Sequence, residues 1–268
     1  MSLGKPCEPA DLALLLPDEP VWVDLRGMLL SNRCTVFVGE DGPARGFVAR
    51  SWDFPYAMAA GEPETDVVHR AVATDSGETS EWHLLAGLPS VAAVEAALPG
   101  WRRRGVTLHR WAGDDGPDLG LPPAPSRLDV RLAPAGWAAA GFPIDHLPEA
   151  MRDELTTEHA RHRPLAAVFV EGRPVSVCYA AFETEGLWDV AIETLAEHRR
   201  RGLAAACFGA LASWLAGRGR RPVWGALDGN EPSLRLAAVL GFEPVAQLTS
   251  FVRPTGFVDA TRAPGGPG

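Results

Sequence analysis

The chain has 268 residues, 46% of them hydrophobic, and a formal charge of −9 at pH 7. That length and apolar content suit one large domain or two ordinary ones with a proper core, and the negative charge argues against a general nucleic-acid binder, whose field must attract phosphate. No run reaches the ~18 apolar residues of a membrane span, and four scattered cysteines (Cys7, Cys34, Cys178, Cys207) without a CxxC pair suggest neither a disulfide framework nor a zinc knuckle.

The early LALLL is short, flanked by acids and lacks the basic start of a signal peptide, so the expected compartment is the cytoplasm. RCTVFVGEDGPARGFVAR reads as two strands joined by a turn at Glu40 to Pro43, and PSVAAVEAAL as a helix broken by Pro99 and Gly100. RRRG at 102–105 lies beyond that helix and ahead of the strand-like VTLHRW, where its charges face no helix start. GDDGPDLGLPPAPS, residues 113–126, has the acids, glycines and prolines of an extended linker. The expected division is therefore a mixed α/β domain over 1–112, a linker over 113–126, and a second domain over 127–268 whose tail is disordered from about 254.

After the linker, LPEAMRDELTTEHARHR has helical spacing, and LAAVFV, the turn EGRP and VSVCYAAF read as a hairpin. A second turn, ETEG, leads into LWDVAIETL, whose alternation puts Trp188, Val190, Ile192 and Thr194 on one face and Asp189, Ala191 and Glu193 on the other. GLAAACFGALASWLAG reads as a helix stopped by Gly217 and Gly219, PVWGAL as a strand, and EPSLRLAAVL as a helix capped by Asn230, with Pro232 in its first turn and Gly241 at its end. EPVAQLTSFV returns as one or two strands. His159 and His162 lie three apart on a helix with no third ligand at fitting spacing, and they are taken as surface histidines; Trp188 and Trp224 are taken as core.

Between the strand and the long helix stands HRRRGLA, 198–204, with three arginines at a helix start that already carries partial positive charge. A strand, an arginine-rich turn, Gly202, the small Ala204 and a helix together make an anion cradle: backbone N–H groups point outward and glycine lets a phosphate approach. The alternative is an ordinary turn with solvated arginines.

Arg199, Gly202 and Ala204 match the pyrophosphate loop of the GNAT superfamily of N-acetyltransferases, and NEPSLRLAAVLGF, Asn230 to Phe242, is similar to that family's second signature, so residues 127–252 resemble a GNAT domain. The resemblance implies a mixed, mostly antiparallel twisted sheet flanked by helices, an α/β (α+β) fold in which residues 1–112 are a degenerate copy of the same fold or a lid. It also implies an acetyl-CoA site: backbone of Arg199, Arg200, Arg201, Gly202, Leu203 and Ala204 on the pyrophosphate, and the pantetheine arm beside Thr194 and Leu195 in a wedge between splayed strands. The acetyl carbonyl then sits near the end of the Ile192 to Leu195 strand, polarised by a backbone N–H. Asn230 and Ser233 touch the pantetheine or the acceptor, or serve only as helix caps.

The attacking amine must be neutral, which suits a carboxylate base on the strand, Glu193 first and Asp189 second; the alternative for Glu193 is a solvent-facing acid. Where many family members carry a tyrosine to protonate the departing thiolate, this chain has Ala237, and its only tyrosines are Tyr56 and Tyr179. Within the superfamily the chain looks most similar to free-standing bacterial acetyltransferases of uncertain acceptor, and the expected activity is acetyl transfer onto a small amine by a monomer or homodimer, with no metal, nucleic acid or membrane involved. A protein lysine or N-terminal acetyltransferase and a non-catalytic acyl-CoA sensor stand as alternatives.

Overall fold

The computed structural model describes residues 8–73, 81–113, 126–158 and 160–254. Most of the linker, the tail beyond 254, Cys7 and His159 lie outside the described residues. Pro9 opens α1 (Pro9–Ala13), and α2 (Val23–Leu30) follows. The alternating segments then give β1 (Cys34–Val38), β2 (Gly46–Ser51) and β3 (Tyr56–Gly61), followed by α3 (Thr65–Val72), β4 (His83–Ala86), α4 (Leu88–Ala97) and β5 (Arg102–Trp111). Further along come β6 (Asp129–Ala133), α5 (Gly136–Ala140), α6 (Glu149–Thr156), β7 (Leu165–Val170), β8 (Arg173–Glu183) and β9 (Leu187–Thr194). The last elements are α7 (Leu203–Ala216), β10 (Arg221–Leu227), α8 (Glu231–Val239) and β11 (Phe242–Val252).

The hairpin of β7 and β8 turns on Glu171 (φ 51°) and Gly172 (φ 77°), the two left-handed positions of a tight hairpin turn. The helix expected through His162 is shorter than its spacing suggests. Thr156 and Thr157 donate their hydroxyls back to the carbonyls of Asp153 (3.2 Å) and Glu154 (3.0 Å), and Thr157 leaves helical geometry with ψ 148°. Side-chain bonds of this kind offer the backbone an alternative to helix. No helix among the described residues is long and apolar enough to cross a membrane.

The residues fall into two compact units, 1–33 with 106–247 and 34–105 with 248–268, which are not the halves on either side of the linker. The reason is strand pairing: Val106 to Arg110 of β5 lie antiparallel to Leu227 to Val223 of β10, and α2 packs on β8. In the smaller unit β1, β2 and β3 pair antiparallel, β3 runs parallel to β4, and the end of β11 pairs with β4. Its core holds Val48, Leu84, Val94 and Phe251, with Trp82 and Trp101 edge to face at 6.1 Å. The arginines of 102–104 lie in β5 and meet carboxylates, Arg102 and Arg104 on Glu81 at 3.1 Å and Arg103 on Glu95 at 2.7 Å.

In the larger unit β6, β7, β8 and β9 pair antiparallel, and β10 runs parallel to β9. A parallel neighbour requires a crossover, which α7 supplies: Phe208 stacks on Trp188 at 6.1 Å and meets Trp224 and Phe242, so both tryptophans are core. Each unit thus has a run of antiparallel strands, three in the smaller and four in the larger, followed by a crossover helix and a parallel strand.

Gly27 lets α2 lie close on β8. A Cβ there would stand 2.8 Å from the Phe182 Cβ and 3.2 Å from the Glu183 backbone. Gly27→Ala is therefore expected to lower stability by about 1–3 kcal/mol, seen as a lower urea midpoint at unchanged slope.

Candidate functional site

After β9 the chain makes one 3-10 turn (Ala196–His198) and then reverses through Arg200 at φ 60° and Gly202 at φ 74° before α7 begins. Left-handed geometry costs a non-glycine residue about 1–3 kcal/mol, so Arg200 holds its place against a local preference. No side chain caps α7, which leaves the first N–H groups of a 14-residue helix without a side-chain acceptor. A Cβ at Gly202 would meet nothing within 4 Å, so the space over the turn is open. The arginines brace the turn: Arg199 donates to the Thr194 carbonyl at 3.0 Å, and Arg201 contacts His198 Nδ1 at 2.8 Å. Anion-binding concavities are built this way, from successive N–H groups at a helix start.

β9 and β10 pair over three positions only, Leu187, Trp188 and Asp189 against Arg221, Pro222 and Val223, and beyond that the ladder stops. Leu195 donates its N–H to Val175 of β8 at 2.9 Å. In an antiparallel ladder this direction alternates, so the N–H groups of Ile192 and Thr194 point away from β8, toward the gap beside β10. Leu195, just past the end of β9, thus extends the bonding to β8 and has a buried side chain, and the Thr194 hydroxyl is shared with Ser176 Oγ at 2.7 Å.

The other face of β9 opens onto a cavity of about 170 Å³ whose lining includes Met151, Glu154 and Leu155 of α6, Tyr179 of β8, and Ala191 and Glu193 of β9. Glu193 is exposed and faces Arg199 at 3.5 Å. Tyr179 is buried and donates its hydroxyl to Glu154, which itself stays open to solvent. Crowding by protein raises the Glu154 pKa, the Tyr179 hydrogen bond opposes this, and the Glu193 charge adds to it. Asp189 does not line the cavity. It stands half-buried near Asp24 of α2, and desolvation with the Asp24 charge holds its carboxyl well above the usual range; burial likewise raises Asp24 to about 7.

Asn230 caps α8 by accepting the Ser233 N–H at 3.3 Å, and Ser233 Oγ accepts from Trp224 Nε1 at 3.0 Å. Both side chains thus have structural partners. His162 is exposed beside Glu158, and the described residues contain no cluster able to hold a metal ion. Glu154 and Asp24 escaped the sequence reading, and Tyr179 entered it only as a tyrosine away from the last helix. Glu154 had a signal: three residues after Met151 and next to Leu155, it lies beside the apolar stripe of α6.

Residues 166–251 match the family model for GNAT acetyltransferases. This stretch is a GNAT acetyltransferase domain. Its fold recurs in a GCN5-related N-acetyltransferase-like protein from Streptococcus suis, with TM-score 0.65 and 20% identity over 91% of this chain and 96% of that one. A GNAT-family protein from Novosphingobium aromaticivorans follows, with TM-score 0.59 and 19% identity over 88% and 96%. A tandem GNAT protein from the clavulanic acid biosynthesis pathway has TM-score 0.53 and 16% identity over 88% and 89%. Identities this low speak for the fold alone. No curated protein matches the chain by sequence. The matched segment contains β8, β9, the arginine turn, α7 and α8, so the open turn and the strand gap both belong to it.

Proposed function

We propose that the chain is an N-acetyltransferase that moves the acetyl group of acetyl-CoA onto the primary amine of a small molecule by direct attack. The observation that carries this reading is the uncapped, open turn from Arg199 to Ala204 at the end of a strand that has parted from its parallel neighbour. Acetyl-CoA supplies an activated thioester. On this reading the N–H groups of the turn hold its pyrophosphate, and the N–H of Ile192 or Thr194 polarises the acetyl carbonyl. The amine nitrogen bonds to the acetyl carbon as the carbon–sulfur bond breaks, and the amine's proton passes to Glu193 or to water. With Ala237 fully buried, no hydroxyl stands on α8 at the family's tyrosine position, and the thiolate takes its proton from solvent.

The smaller unit plays no part in holding the cofactor on this reading. Its corresponding turn, from β3 to α3, carries Glu62 and Glu64, and a Cβ at Gly61 would stand 2.4 Å from the Arg45 carbonyl oxygen. Acids and a closed backbone suit no phosphate.

Calorimetric titration with acetyl-CoA and with dephospho-CoA tests the cofactor half. Saturable binding is expected, and its absence in a folded sample would end the transferase reading. Glu193→Gln is expected to keep acetyl-CoA affinity and to lower turnover about a hundredfold, the low end for general bases because water reaches this exposed site. An unchanged rate across the pH range would move the base elsewhere. Bound acetyl-CoA that no amine consumes would favour an acyl-CoA sensor, the reading to which the missing tyrosine points.

A further inference from the structure

We propose that Glu154 and Tyr179 are the specificity-determining pair of the cavity, and that they select an acceptor with an ammonium group on an apolar body. The inference rests on the acetyltransferase reading and adds the chemistry of the acceptor. Both residues line the cavity, and Tyr179 donates its hydroxyl to Glu154. A phenol that has spent its proton on a carboxylate presents only oxygen lone pairs, so the pair offers acceptors and no donor. An ammonium, with three N–H donors and a positive charge, is complementary to that surface. A neutral alcohol brings one donor and no charge, and a carboxylate is repelled.

The other cavity carboxylate, Glu193, already faces Arg199 at 3.5 Å, whereas among the described residues Glu154 has a phenol and no cation beside it. The negative charge left to be answered is therefore that of Glu154. Met151, Leu155 and Ala191 supply apolar walls next to it. Glu154 lies on α6, ahead of the segment that matches the family model.

The chain contains two tyrosines, so uniform 3-fluorotyrosine labelling yields two fluorine resonances, assigned with Tyr179→Phe. Titration of the labelled full chain with n-butylammonium chloride should shift the Tyr179 resonance saturably and leave Tyr56 unmoved. n-Butanol and sodium butyrate should leave both in place, and Glu154→Gln should weaken the ammonium response at least tenfold. A silent Tyr179 resonance, an equal response to butanol, or a full response in folded Glu154→Gln would each overturn the assignment. Acetyl-CoA titration of the same samples separates the two claims. Lost cofactor binding tells against the transferase reading, and a silent Tyr179 with cofactor binding intact tells against the pair.

Discussion

Gly202→Glu is expected to abolish saturable acetyl-CoA binding, a loss of a thousandfold or more. Two effects combine. The residue holds φ 74°, which an L side chain adopts only at a cost, and its Cβ would project into the open space over the turn. There, on the proposed reading, a carboxylate would meet the pyrophosphate, and like charges brought together in a binding site cost several kcal/mol; about 4 kcal/mol corresponds to a thousandfold. Gly202→Ala separates the terms, because its Cβ meets nothing within 4 Å and its backbone penalty of about 1 kcal/mol falls on the turn whether free or bound, so affinity is expected to change little. Calorimetry on both variants checks the pair. If Gly202→Glu bound acetyl-CoA as tightly as the unaltered chain, the turn would not be the phosphate site.

Asp24→Asn is expected to stabilise the protein by about 2–3 kcal/mol at pH 8 and to change little at pH 4. Desolvation holds the native carboxyl near 7, against 3.8 for the free group. Well below pH 4 both folded and unfolded chains carry the proton and nothing is lost. Between about 4 and 7 the unfolded chain releases it while the native state retains it, so stability falls as pH rises through that interval, and the loss is complete above 7. Three pH units allow at most about 4 kcal/mol, reduced here because Asp24 is only half-buried and titrates together with Asp189, whose carboxyl its charge raises. Asparagine has the shape of the protonated acid and does not ionise. Urea unfolding of both proteins from pH 4 to 8 gives the comparison, and curves that stay parallel over the whole range would remove Asp24 as the source.

The larger unit was legible where local chemistry decides the structure. Glu171 and Gly172 fix a hairpin, Asn230 fixes a helix start, and the alternation of LWDVAIETL puts Asp189, Ala191 and Glu193 on one face, the face that packs on α6 and α2. What pairs with that face was not legible. Tyr179 stands opposite Ala191 only through the β8–β9 register, with an irregularity between Ala180 and Glu183 that no strand pattern announces. Asp24 reaches its neighbourhood because Gly27 allows a close approach of α2, a contact between residues more than 150 positions apart. The division at the linker failed as a guide to the compact units for a similar reason: β5 carries its pairing partner, β10, on the far side of that linker.

The early end of the β9–β10 ladder leaves the sheet unfinished from within. Edges of that sort usually lie on the outside of a protein, where they invite other chains and must be guarded. Here two of them face each other, and an extended molecule with amide groups of its own would fill the missing row. On the proposed reading, acetyl-CoA would lie there as a strand that the gene does not encode, and the sheet would be completed by metabolism rather than by translation.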